Sequence, residues 1–316
     1  MPKITVISSG PLSTIQDEGR FGSMSTGFSP NGAMDSYSMK LANILVGNAP
    51  GDGVIEMTLM GMTLQFDCTA VIALTGADMG PDINGRAINM YTAVEVHAGD
   101  ILTLQMARNG MRTYLAVAQG FDIPQVMGSM STNLKCALGG FQGRKLQSGD
   151  EIPLRHSLPL SLIGERSLPP ENNYGPTISV RVIPGPQADY FTDKGIQTFL
   201  SCEYTVSHTS DRMGVRLEGD KVESKNGVDI LSDGIATGSV QIPASGTPII
   251  MMADRQTTGG YAKIATVISA DLKKIAQARP GTKILFLAVS EKEALRLKKK
   301  EARKLKFLQY KLLYSK

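Results

Sequence analysis

Two short apolar runs, Pro248 to Ala253 and Ile264 to Ile268, enclose a stretch that reads DRQTTGGYAK from Asp254 to Lys263. Both runs are short and partly β-branched, so both predict buried strands. Between them lie Asp254, Arg255, Gln256, Thr257, Thr258, Tyr261 and Lys263. Polar groups tied to two core strands must reach solvent or line a cavity, because burying them unpaired is costly. Gly259-Gly260 permits a tight turn, or a close approach of backbone to a ligand. The stretch therefore reads either as a polar pocket for a small anionic or amide-bearing molecule, or as a hairpin with a polar tip.

Short strands and turns recur along most of the 316 residues. With 33 Gly and 16 Pro, turns are frequent enough to favour a β-rich fold over a helix bundle. A hydrophobic content of 42% makes the chain globular, and its length suits one large domain or two smaller ones. Strands are expected at 3–8, 55–59, 63–66, 70–74, 93–96, 101–105, 113–118, 178–183 and 283–289. His97 to Asp100 reads as a hairpin-like turn. Helices are expected over 34–46, closed by Gly47-Asn48, near 190–200, and over 271–278. The Pro- and Asn-rich segment 157–176 reads as a linker dividing a β-rich subdomain at 1–165 from another at 176–290.

From Ser290 the period turns helical, with Ala294, Leu297, Leu305, Leu308 and Leu312 on one stripe. Ser290 with Glu293 has the form of a capping box. Residues 291–316 hold ten basic and three acidic side chains, whereas the first 290 hold 23 and 26. The net charge of +4 is thus a property of the tail, and the mildly acidic body gives no case for nucleic-acid binding. This segment reads as a partner-docking helix, or as a solvated helix packed on its own domain.

Cys68, Cys136 and Cys202 are odd in number and lack a CxxC spacing, and His97, His156 and His208 lie far apart. No disulfide framework and no metal site is expected. The start reads as a strand and not a signal peptide, and no apolar run reaches membrane-spanning length, so a cytoplasmic protein is expected. Gln16, Asp17 and Arg20 set an amide, a carboxylate and a guanidinium within five residues. They can build a polar site or pin a loop. The glycine clusters at 128–132 and 139–144 fit neither phosphate-loop nor dinucleotide fingerprints.

In order along the chain, TIQDEGR (14–20), NGAMD (31–35), LANILVGN (41–48), LTGAD (74–78), RTYLAVAQG (112–120), GSMST (128–132), GGFQGR (139–144), SDRMG (210–214), QIPASGTPII (241–250) and TTGGYAKIATVI (257–268) resemble one family. It is that of the 5-oxoprolinase C subunit, also called the biotin-dependent carboxyltransferase, allophanate hydrolase subunit 2 or KipA family. The resemblance runs from residue 10 to about 290. Gln119 departs from the family's usual Gly-Gly.

That resemblance implies a mainly β fold with a few helices, related to cyclophilin-like barrels, in two β-rich subdomains plus the C-terminal helix. It also implies two partners of a 5-oxoprolinase assembly: a KipI-like one, the B component, and a third, the A component. Three activities share the scaffold, so fold alone does not choose among them. One is the ATP-dependent opening of 5-oxoproline to glutamate, with this chain inactive alone. Another is carboxyl transfer from carboxybiotin to urea. In the third, a non-catalytic regulator neutralises a KipI-like kinase inhibitor. Neither a Met-Lys-Met segment nor a biotin carboxylase domain occurs in the sequence, which favours the lactam reaction.

A lactam resists water through amide resonance, and phosphorylating its oxygen makes it a good electrophile, hence ATP. Both enzymatic readings need donors where oxygen charge develops. On this basis Arg212, Lys263, Tyr261 and Asp254 are the candidate catalytic residues. Gln16, Asp17, Arg20, Gln241, Gln256 and Thr258 are candidates for substrate binding.

Overall fold

The computed structural model describes residues 1–171 and 174–314. It is mainly β, with four α-helices among the described residues: α1 (Ser36–Leu45), α2 (Asp193–Ser201), α3 (Leu272–Gln277) and α4 (Glu291–Tyr314). The chain forms two compact units. One comprises Met1–Arg20, Asn31–Asn173 and Arg303–Lys316; the other comprises Phe21–Pro30 and Tyr174–Ala302. Both units are discontinuous, where the sequence reading drew contiguous segments.

The first unit holds two antiparallel sheets. Strands Glu151–Pro153, Lys3–Ser8, Thr63–Phe66, Ile101–Thr103, Asp82–Ile83 and Arg86–Ala87 make one, in that spatial order. Strands Ser13–Gln16, Val54–Thr58, Arg112–Val117, Ala70–Gly76 and Ala93–Val96 make the other. Side chains alternate across a strand. Ile55, Ile72, Leu74, Leu115 and Val117 accordingly share one core with Ile4, Leu64 and Phe66 of the six-stranded sheet. Val54, Val71, Ala73, Tyr114 and Ala116, on the opposite face, pack with Tyr37, Met39, Leu41 and Leu45 of α1. Leu305, Leu308 and Leu312 of α4 cover this second core, so the tail helix lies on its own chain. Ser290 Oγ accepts from Glu293 N at 3.2 Å, as the capping pattern requires.

The turn at His97–Asp100 forms as expected, with His97 N donating to Asp100 Oδ2 at 2.8 Å. Its flanking strands do not pair with each other. Ala93–Val96 pairs with Ala70–Gly76, and Ile101–Thr103 pairs with Thr63–Phe66, so this turn carries the chain from one sheet to the other.

The second unit is a closed barrel of Thr177–Pro184, Lys263–Val267, Ser239–Gln241, Ile249–Met251, Gly214–Glu218, Tyr204–Val206 and Lys283–Ala288. It closes through the parallel pair Thr177–Pro184 with Lys283–Ala288. The two apolar runs around DRQTTGGYAK are both barrel strands, but they are not neighbours. Ser239–Gln241 lies between them and pairs with each. Their connection is therefore no hairpin: Thr258–Tyr261 pairs with Asp229–Gly234 as a separate two-stranded ribbon. The helix expected near 190–200 begins at Asp193, because Thr192 caps it by accepting from Gly195 N at 2.9 Å.

Candidate functional site

Seven of the ten candidate residues fall in the barrel unit, and Gln16, Asp17 and Arg20 fall in the other. Arg212 precedes one barrel strand and Asp254 follows its neighbour, with Gly214 opposite Met251. The register sets the side chains together: Arg212 Nε reaches Asp254 Oδ2 at 2.9 Å and Nη2 reaches Oδ1 at 3.2 Å. Asp254 N also donates to the Arg212 carbonyl. A two-point fork of this kind fixes direction as well as charge.

Lys263 starts its barrel strand and is buried, yet its ammonium donates to Asp233 Oδ2 at 2.9 Å on the exposed ribbon. The Lys263 hydrogen bond, followed by one from Gly234 N, holds the Asp233 carboxyl below its ordinary range. Gln187 brackets the pair, accepting from Lys263 N at 3.2 Å and donating to Asp233 Oδ2 at 3.4 Å. The buried Gln241 donates from Nε2 to the Tyr261 carbonyl at 3.3 Å. Its amide converges with that of Gln256 on Gly259. A Cβ there would lie 3.0 Å from Gln241 Nε2, 3.4 Å from Gln256 Nε2 and 2.6 Å from Ile235 Cδ1. Glycine at 259 keeps the backbone beneath two carboxamides. Thr258 is exposed, and the Tyr261 side chain is partly open to solvent. The sequence candidates thus gather into an Arg212–Asp254 fork and a Gln241–Gln256 amide pair over Gly259, with Lys263 opposite Gln241 in the sheet and its ammonium on Asp233.

Gln16, Asp17 and Arg20 bind their own chain. Asp17 Oδ1 accepts from Gly19 N, Ser129 Oγ and Ser131 Oγ, and Oδ2 accepts from Met130 N, all within 2.7 Å. Arg20, wholly buried, donates to Asn31 Oδ1 at 2.8 Å and to the Ser131 carbonyl at 2.6 Å. Gln16 donates to Thr14 Oγ1 and to the Thr132 carbonyl. The three together hold the GSMST segment against strand Ser13–Gln16. The second glycine cluster packs closely against its neighbours on one side. Side chains at Gly139, Gly140 and Gly143 would overlap the Ser131 carbonyl, the Thr132 hydroxyl and the Ala137 carbonyl. These glycines serve close packing on that side, while the same loop lines a cavity of about 460 Å³ with Asp122, Ile123 and Pro124.

One buried polar row escaped the sequence reading. Glu56 is 2% exposed and sits opposite Tyr114. Its Oε2 accepts from Tyr114 Oη at 2.9 Å and from Met34 N at 2.8 Å, while Tyr114 Oη accepts from Asp35 N. Arg112 Nε lies 4.0 Å from Glu56 Oε1. Burial, then the Glu56 charge, raises the Tyr114 phenol well above its usual range. The available signal was an acid inside VIEMT and an arginine opening RTYLAV, two charges in strands otherwise built for a core.

A chain built of a closed-barrel unit and a two-sheet unit, with this cluster in the barrel unit, has the fold of a carboxyltransferase domain. The sequence matches the family described as "Carboxyltransferase domain, subdomain A and B" over residues 26–288, and the chain belongs to that family, which includes the C subunit of 5-oxoprolinase. It is 41% identical to the 5-oxoprolinase C subunit of Haemophilus influenzae over 298 residues, 94% of each chain. With the Escherichia coli protein of the same name it shares 37% over 311 residues, 98% of each. The crystal structure of Kluyveromyces lactis urea carboxylase superposes with a TM-score of 0.88 at 30% identity, over 97% of this chain and 29% of that one.

Proposed function

We propose that this chain is a subunit of an ATP-dependent 5-oxoprolinase. It would act with a KipI-like partner and a third protein to open the lactam to glutamate, and would be inactive alone. The observation that carries this reading is correspondence to relatives named as the C subunit of 5-oxoprolinase along almost the whole of both chains. In the barrel unit, the Gln241 and Gln256 carboxamides over Gly259 suit a planar amide, and the buried Lys263 ammonium supplies positive charge where its oxygen becomes anionic. The Arg212–Asp254 fork holds the start of the DRQTTGGYAK segment in place. Tyr261 and Thr258 lie on the ribbon that borders the cluster. Gln16, Asp17 and Arg20 we assign to shaping the GSMST loop. We place ATP elsewhere in the assembly, since the glycine clusters at 128–132 and 139–144 match no phosphate-loop pattern. Such a complex would work in the cytoplasm.

A second reading, carboxyl transfer from biotin to urea, is favoured by the superposition on urea carboxylase. One assay separates the two. Glutamate release from 5-oxoproline with ATP is measured for the chain alone and with both partners, beside urea-dependent carboxylation with a biotin donor. The proposal expects lactam opening only in the full mixture, abolished by Lys263→Ala and by Arg212→Met with assembly retained. Lactam turnover left intact by both variants would overturn the site, and turnover of urea alone would overturn the reaction.

A further inference from the structure

The DRQTTGGYAK segment carries a cation that the reading above leaves unused. Arg255 is 4% exposed. Its Nε donates to the Ile235 carbonyl at 2.8 Å and its Nη1 to the Met252 carbonyl at 3.4 Å. Among the described residues no carboxylate pairs with it, and Nη2 makes no hydrogen bond. Nη2 is also absent from the polar atoms sealed from solvent without a partner. Other arginines in the chain are forked onto acids: Arg212 on Asp254, Arg144 on Asp150, Arg181 on Asp271. Arg166 is buried without a carboxylate among the described residues too, with its Nε and Nη1 sealed and unpartnered. Burial holds the Arg255 guanidinium below its usual basicity, with no acid to offset it. A buried cation without a counter-charge is expensive, and a ligand carboxylate would supply both the missing charge and an acceptor for Nη2.

Ile235 touches both this guanidinium and the amide cluster. Its carbonyl takes the Arg255 Nε–H, and its Cδ1 lies against the Gly259 position on which Gln241 and Gln256 converge. We infer that Arg255 anchors the carboxylate of a ligand whose planar amide meets Gln241 and Gln256. The site then selects a molecule bearing both groups. This rests on the lactam reading and deepens it, since 5-oxoproline carries an amide and a carboxylate, and urea only the amide.

The test compares 5-oxoproline with 2-pyrrolidinone, the same ring without the carboxylate, by calorimetric titration of the assembled complex. Wild type should bind 5-oxoproline about 10- to 100-fold more tightly. Arg255→Gln should abolish that preference and leave 2-pyrrolidinone affinity unchanged, with Arg255→Lys between. Equal loss for both ligands, or a preference that survives in Arg255→Gln, would overturn the subsite. Should the Gln variant fail to fold, side-chain ¹⁵N resonances of arginine-labelled wild type decide. A buried guanidinium signal must shift with 5-oxoproline and not with 2-pyrrolidinone, and its failure to do so overturns the inference. The two proposals fail separately. Preference lost in Arg255→Gln without glutamate release by wild type sinks the reaction and keeps the subsite; glutamate release with preference unchanged does the reverse.

Discussion

Lys263 and Asp233 form an ion pair whose two ends meet different surroundings: the lysine side chain is 2% exposed and the aspartate 54%. Lys263 is held by the barrel, and Asp233 is drawn inward to it from the ribbon. Removing the ammonium by Lys263→Met should move the Asp233 carboxyl upward toward its ordinary range, with the Gly234 N–H still holding it partly down. The Asp233 carboxyl is depressed in the folded state, so its contribution is present above the unfolded value and fades as pH falls through the folded one. Carboxyl ¹³C titration of the two proteins checks this; identical titration curves would refute it.

Asp271 is fully buried and takes three hydrogen bonds from Arg181, at 2.6–2.9 Å. Burial pushes its carboxyl up, but the Arg181 fork and backbone N–H, with Lys274, more than offset this and leave it lowered. Its stabilisation is therefore full above about pH 4 and is lost as acid protonates it in the fold. Asp271→Asn should cost about 2–4 kcal/mol in urea unfolding at neutral pH, and less in acid.

Asp17 accepts from two hydroxyls and two backbone N–H groups. Asp17→Ala leaves these donors buried without an acceptor and should destabilise the chain by about 3 kcal/mol. Hydrogen exchange should quicken first at Met130 and Ser131. Unchanged protection there would show that the loop is held by other contacts.

Gly140 has φ +54° and faces the Thr132 hydroxyl with no room for a methyl group. Gly140→Ala should cost about 3 kcal/mol or more, combining backbone strain with overlap. At Gly149, where φ is +89° but space is open, alanine should cost only about 1 kcal/mol. Thermal melting of the pair separates the two effects.

Leu308 points from α4 into the core shared with α1. Leu308→Ala should lower stability by about 1–2 kcal/mol, while Lys299→Ala on the exposed face should change it by less than about 0.5. Equal effects would mean that the helix is solvated on both faces.

Local pattern carried the strands and helices because alternation and capping are properties of neighbouring residues. Ser290 with Glu293, and the apolar runs beside Asp254 and Lys263, were legible for that reason. Pairing was not. Nothing in HAGD says that its two strands join different sheets, and nothing in DRQTTGGYAK says that Ser239–Gln241 separates the runs beside it. At the site, residue type announced Arg212, Lys263 and Gln241, but not their partners. Asp233 lies 30 residues from Lys263, and Ser131 lies 114 from Asp17. Glu56 was hidden because an apolar strand pattern discounts its one charged member.

The segment Phe21–Pro30 belongs to the barrel unit, where the Ser29 hydroxyl donates to the carbonyl of Arg255. The other unit needs Leu305, Leu308 and Leu312 from the far end of the chain. Domains emerging from the ribosome ordinarily fold first-made, first-folded. Here neither unit can be completed until almost all of the polypeptide has been synthesised, so birth order and folding order come apart. A fragment cut at the linker would contain neither unit whole.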